Sequence, residues 1–196
     1  PEGKCLVVPA VCSIDGDGID DLVFLSETSN SIVAAGSASG LWTEVIYSPP
    51  RTLHYSASSE SFFPILFARD LDRDGYDEIV YKPGGNPISE SELRVFSPGA
   101  SGETCFPLKI KGGLIQAADL DRDSIDELYV LGLDNLLTRY NLCGEPQRTF
   151  NFDFGDVSFR VSGMAAADAN GDGHYDLVVM GALSKGNLNY GYFEII

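Results

Sequence analysis

Apolar residues in this chain gather in short runs rather than at helical spacing. No window of ten or more residues carries a 3.6-residue period. The runs are rich in β-branched and aromatic side chains, and turn residues break them, which predicts strands. Examples are "SIVAAG", "TEVIY", "LRVFS", "TCFPLKI", "LTRYN" and "RTFNFDF", separated by "SASG", "GGNP", "SPGASGE", "CGEP" and "SKGN". Gly, Pro, Asn and Ser in such clusters favour turns.

Four of the polar interruptions resemble one another. "SIDGDGIDDL" runs from Ser13, "DLDRDGYDEI" from Asp70, "DLDRDSIDEL" from Asp119 and "DANGDGHYDL" from Asp168, at intervals of 57, 49 and 49 residues. Each follows an apolar segment ("CLVVPAV", "FFPILFA", "LIQAA", "SGMAAA") and runs straight into another ("LVFL", "EIVYK", "ELYVL", "DLVVMG"). A period near 50 marks a repeat array, and about four short strands per unit is the size of a propeller blade. The expected fold is therefore an all-β β-propeller of four-stranded antiparallel blades, about four in this chain. It would form one domain over 1–196, with repeats near 4–61, 62–111, 112–160 and 161–196.

Composition sharpens this picture. Of 196 residues, 29 are acidic and 13 basic, for a formal net charge of −16. That balance argues against nucleic acid, whose phosphates need Lys and Arg, and against an anionic membrane surface. No run reaches the ~20 apolar residues of a membrane span. The chain opens at Pro1 without a Met or a signal-like apolar region, so it reads as a mature or excised piece. Cys5, Cys12, Cys105 and Cys143 form no CxxC pair, which argues against zinc. An even count suits two disulfides in an oxidising compartment, with buried thiols as the alternative; the pairing stays open.

The acids have a purpose in their spacing. Counted from its first residue, each loop places oxygen-bearing side chains at positions 1, 3 and 5: Ser13, Asp15 and Asp17; Asp70, Asp72 and Asp74; Asp119, Asp121 and Asp123; Asp168, Asn170 and Asp172. Position 9 is a carboxylate in every copy: Asp21, Glu78, Glu127 and Asp176. Position 6 is Gly18, Gly75, Ser124 or Gly173, where a tight turn favours glycine. The peptide carbonyl of position 7 (Ile19, Tyr76, Ile125, His174) offers one more oxygen. Hard oxygens on alternate residues of a tight turn suit Ca²⁺, which takes six to eight of them, better than the stricter Mg²⁺ octahedron. An EF-hand would need a bidentate Glu at position 12 and flanking helices. Position 12 here is Phe24, Tyr81, Val130 and Val179, all in strands, so that loop type is excluded.

A D-x-D-x-D-G-x-x-[DE]-[LI] loop entering a strand resembles the FG-GAP/VCBS repeats of integrin α-subunit heads, and "DLVVMGALSKGNLNYGYFEI" is similar to the second half of that repeat. The resemblance covers nearly the whole chain. It implies up to four Ca²⁺ ions, one per loop on one face of a propeller, with ligands meeting the other face or the side. Ser13 in place of the first acid, and Ser124 in place of glycine, depart from the pattern, and those two sites are expected to be weaker, or one of them empty.

Fourteen of the twenty ligand positions are carboxylates, so cations would relieve their repulsion and cross-link each unit. Such modules need millimolar calcium, which places the chain outside the cell, secreted or on a surface. The expected function is a non-catalytic recognition or adhesion module for protein or glycan. A structural block of a surface assembly, or a non-catalytic domain of a larger secreted enzyme, is the alternative. Contact regions would be Ser37–Trp42, Ser48–Phe63 and Lys82–Glu92, with Trp42, His54 and Tyr55 able to stack on a sugar. No G-x-S-x-G, P-loop or H-E-x-x-H motif occurs, which argues against catalysis. Asp20, Asp77 and Asp126, at position 8, are expected to face solvent. About fifteen strands fall one short of four full blades: further blades or a second copy would complete a ring, or the chain would close alone as a four-bladed one, and an arc that needs a partner is the expectation.

Overall fold

Every apolar run with a described backbone is extended. The computed structural model describes residues 9–17, 19–26, 31–36, 42–47, 65–82, 90–97, 102–103, 108–111, 113–132, 134–152, 158–186 and 188–196, and among them there are sixteen strands and no helix. The chain divides into two compact units, Pro1–Ile110 and Lys111–Ile196.

In the first unit, β1 (Ala10–Cys12), β2 (Asp21–Ser26), β3 (Ser31–Gly36) and β4 (Trp42–Tyr47) form an antiparallel sheet in chain order. A second sheet holds β5 (Ile65–Arg69), β6 (Glu78–Lys82), β7 (Glu90–Ser97) and β8 (Gly102–Glu103), with β9 (Leu108–Lys111) also pairing β7. In the second unit, β10 (Leu114–Ala118), β11 (Glu127–Leu131), β12 (Leu136–Tyr140) and β13 (Pro146–Asn151) make a four-stranded sheet. A three-stranded sheet joins β14 (Ser158–Ala167), β15 (Asp176–Lys185) and β16 (Leu188–Ile195). Each acidic loop is the hairpin between the first and second strands of its sheet. Sixteen strands rather than fifteen reflects the short pair β8 and β9 after the second sheet's third strand.

Side-chain alternation decides how sheets meet. In the first unit, Ala10, Cys12, Val23, Ile32 and Ala34 pack against Leu66, Ile79 and Tyr81, with Ala68 and Phe96 alongside. In the second, Ala118, Tyr129, Leu131, Leu137 and Phe152 pack against Leu177 and Val179, with Val161, Met164, Ala166 and Ile196 alongside. Each fully buried aliphatic or aromatic side chain contributes about 1.5–3 kcal/mol. Strands β6 and β11 are buried at every residue, as expected for a continuous apolar run covered on both faces. Strand β15 is not: Leu177 and Val179 are buried while Met180 is exposed, so its sheet is covered on one face only. Strand β13 ends its sheet as a polar edge, starting on Pro146 and carrying Arg148 over the Phe150 ring at 4.5 Å. Proline and charge on an edge discourage further pairing.

Candidate metal centres

The four loops share one backbone design. Position 4 adopts a left-handed conformation in every copy: Gly16 (φ 71°), Arg73 (62°), Arg122 (67°) and Gly171 (79°). Position 6 does so at Gly75 (93°), Ser124 (79°) and Gly173 (85°); Gly18 lies outside the described residues. Glycine at position 6 was legible in the sequence. The left-handed turn at position 4 was not, because two copies place Arg there.

Those two reversals turn peptide N–H groups inward onto the carboxylates. The position-7 N–H donates to the position-5 side chain in all four copies: Ile19 to Asp17 (2.8 Å), Tyr76 to Asp74 (2.9 Å), Ile125 to Asp123 (2.8 Å) and His174 to Asp172 (2.9 Å). The position-5 N–H donates to position 3 from Asp17 to Asp15, Asp74 to Asp72 and Asp172 to Asn170. The position-9 carboxylate accepts from position 2 at Asp21, Glu78 and Asp176. The position-1 carboxylate accepts the position-6 N–H at Asp70, Asp119 and Asp168. Such a set fixes the orientation of the carboxylates.

Among the described residues, two loops bring three carboxylates together. One oxygen each of Asp70, Asp72 and Glu78 lie within 4.8 Å of one another, and so do those of Asp119, Asp121 and Asp123. These two clusters can hold a metal ion. Among the described residues, the first and fourth loops form no such trio of carboxylates. They carry Ser13 and Asn170 where the others carry acids.

The second loop meets the stronger test. In loops three and four, Oδ1 of the position-1 aspartate accepts two peptide N–H groups, from Arg122 and Asp123 onto Asp119 and from Gly171 and Asp172 onto Asp168. The equivalent Oδ1 of Asp70 is buried and has no hydrogen-bond donor. A carboxylate oxygen sealed from water without a donor is costly, and a cation would satisfy it. Glu78 is 1% exposed; burial raises its pKa above the ordinary range, against the Leu71 N–H and the Ser97 hydroxyl (2.8 Å each) that favour its charged form. The negative charges of Asp72 and Asp74 push it further up.

The third loop already contains a cation. Arg139, on β12, places Nη1 2.6 Å from Asp121 Oδ2 and 3.1 Å from Glu127 Oε1. Its hydrogen bond holds the Asp121 carboxyl below the usual range. Glu127 is instead pushed up to about 7, because burial outweighs the arginine's pull. Glu127 faces Arg139 and Tyr129 and hydrogen-bonds Asp121, at the border of the aspartate cluster. The third loop departs from the pattern through this arginine, which no local motif reveals, as well as through Ser124.

Neighbouring loops also touch. Asp77 Oδ2 accepts the Ser13 N–H at 2.6 Å, and the Asp77 N–H donates to the Ser13 carbonyl at 2.9 Å. The Tyr76 ring lies over Gly16, where a Cβ would come within 2.7 Å of it. In the second unit Arg122 pairs with Asp172 at 3.0 Å. The position-8 expectation is corrected accordingly: Asp20 is exposed, but Asp77 bridges two loops and Asp126 is buried. The two-disulfide expectation is also corrected, since Cys12 stands as a buried thiol. Cys12 sits in the first unit's core, and burial pushes it up to about 12. Cys5, Cys105, His54, Tyr55 and the Trp42 side chain lie outside the described residues, as do Ser48–Phe63 and most of the Ser37–Trp42 and Lys82–Glu92 regions.

No family model matches the chain, and no curated protein matches it. Among solved structures, a lectin of Agrocybe aegerita, described for its recognition of non-reducing terminal N-acetylglucosamine, is similar at 12% identity and a TM-score of 0.37. The match covers 95% of this chain and 64% of that one, so this chain spans less than two thirds of that protein's length. A likeness so slight carries no argument about activity.

Proposed function

We propose that this chain is a calcium-stabilised, non-catalytic recognition module whose sheets are blades of a propeller-type array of the FG-GAP/VCBS kind. The observation that carries the metal reading is the donorless, buried Oδ1 of Asp70, on a carboxylate that places an oxygen within 4.8 Å of oxygens from Asp72 and Glu78. Hard oxygens on a tight turn match Ca²⁺ by charge and by ligand type. When bound, the ion supplies charge neutralisation and a cross-link. The residues of the second loop would hold it most strongly, and the third loop would compete with its own Arg139. The blade reading is supported by four consecutive antiparallel sheets, three of them with at least four strands, each with an acidic hairpin at the same place.

Occupied sites of millimolar affinity fit an extracellular or luminal setting. Four divalent ions would halve the formal charge of −16. Recognition of protein or glycan falls to the loops between strands, because the acids that would otherwise serve catalysis are spent on ordering their own hairpins. The test is calorimetric titration of metal-stripped protein with Ca²⁺ and Mg²⁺, followed by a glycan array with and without calcium. Calcium binding at one or more sites, with weaker magnesium binding, is expected. No heat and no change in thermal melting would overturn the metal reading, and glycan binding indifferent to calcium would overturn its link to recognition.

A further inference from the structure

Within each unit the two repeats pack on one another by the same rule. Counting again from each loop's first residue, the odd positions of one repeat's second strand meet the even positions of the next. In the first unit Val23 (position 11) packs on Ile79 and Tyr81 (positions 10 and 12). In the second, Tyr129 and Leu131 (positions 11 and 13) pack on Leu177 and Val179 (positions 10 and 12). Carried to the fourth repeat, the odd positions are Val178 and Met180. Their register partners on β16 are Ile195 and Phe193. Met180 is 43% exposed, Ile195 46% and Phe193 70%. Carried to the first repeat, the even position 10 is Leu22, whose register partner on β1 is Val11; they are 45% and 57% exposed.

We propose that the open face of the fourth sheet (Met180, Phe193, Ile195) docks on the open face of the first sheet (Val11, Leu22) of a second copy, joining copies head to tail. The occupant follows from the rule itself. The fourth sheet presents the positions that bury against a following repeat, and the first sheet presents the positions that receive a preceding one. Both patches are apolar on a molecule of net charge −16, where exposed apolar side chains clustered on one sheet face mark an interaction surface. The contact is heterologous, so it yields either a closed ring or an open series of copies. It does not depend on the ions.

The test uses the full chain in sedimentation velocity over a wide concentration range, with two variants, Val11→Glu and Phe193→Glu. Both positions are more than half exposed, so each variant is expected to fold, and circular dichroism and a melting curve verify this. The wild-type mass is expected to rise with concentration, and more steeply at high salt, which screens the like charges. Each variant alone is expected to remain monomeric. An equimolar mixture of the two is expected to form a dimer, because one contributes an intact head and the other an intact tail. A monomeric wild type at every concentration would overturn the proposal. So would association that survives in either variant alone, or a mixture that stays monomeric.

Discussion

Replacing Asp70 by Asn reverses the order of stability between two buffers. In the wild type, Asp70 Oδ2 accepts the Gly75 N–H at 3.2 Å while Oδ1 is buried without a donor. Asparagine keeps one acceptor for Gly75. It puts an amide NH₂ at the Oδ1 position, on the side chain whose carboxylate clusters with those of Asp72 and Glu78. A buried group left unsatisfied costs about 1–3 kcal/mol, more when charged. Relief of that cost, and of one like charge, is expected to stabilise metal-free Asp70→Asn by about 1–2 kcal/mol. For a chain of this size that is a rise in Tm of roughly 2–8 °C. In calcium the sign inverts. A filled site stabilises the native state by RT ln(1 + [L]/Kd), about 2.7 kcal/mol at a hundredfold excess, or roughly 5–11 °C. The variant forfeits that gain at the second loop. Thermal melts of both proteins, metal-stripped and in millimolar calcium, are expected to cross. A variant less stable than wild type in both buffers, with an unchanged calcium increment, would refute the assignment of Asp70 as a ligand.

Three further outcomes are expected. Arg139→Met removes the guanidinium from Asp121 and Glu127, so it is expected to destabilise the metal-free protein by about 1–3 kcal/mol and to enlarge the calcium-induced rise in Tm; an unchanged rise would show that the arginine does not compete with metal. Ser124→Gly relieves a left-handed conformation (φ 79°) that costs a side-chain-bearing residue about 1–3 kcal/mol, less the entropy glycine loses, and urea denaturation is expected to show a net gain of about 1 kcal/mol. Glu127 holds its proton to about pH 7 in the folded protein and to an ordinary glutamate pKa when unfolded, so its contribution is complete at low pH and is lost as pH rises toward 7. Melts of metal-stripped protein are therefore expected to fall from pH 5 to 7.5, and calcium is expected to flatten that slope.

The strands were legible because their apolar runs are bounded by turn residues. "SIVAAG", "LIQAA", "EIVYK" and "ELYVL" coincide with β3, β10, β6 and β11 residue for residue. The repeated hairpin between first and second strands was legible for the same reason, and so was the glycine preference at position 6. What the sequence could not supply were partners from other strands. Arg139 lies 18 residues from Asp121, and Asp77 lies 64 from Ser13. Neither distance leaves a local pattern, and both are set by how strands line up across a sheet or between sheets. The four loops looked alike as strings, but a guanidinium in one, and a donorless oxygen in another, make them chemically different.

The reciprocal Ser13–Asp77 hydrogen bonds give the array a form of insurance. The first loop lacks the acid that gathers peptide groups in its siblings, yet its opening residue is held from outside by the next repeat. A tandem copy can therefore decay in its own ligands and still keep its shape, because an intact neighbour acts as its splint. Damage at Asp77 is expected to be felt first in the hairpin that does not contain it.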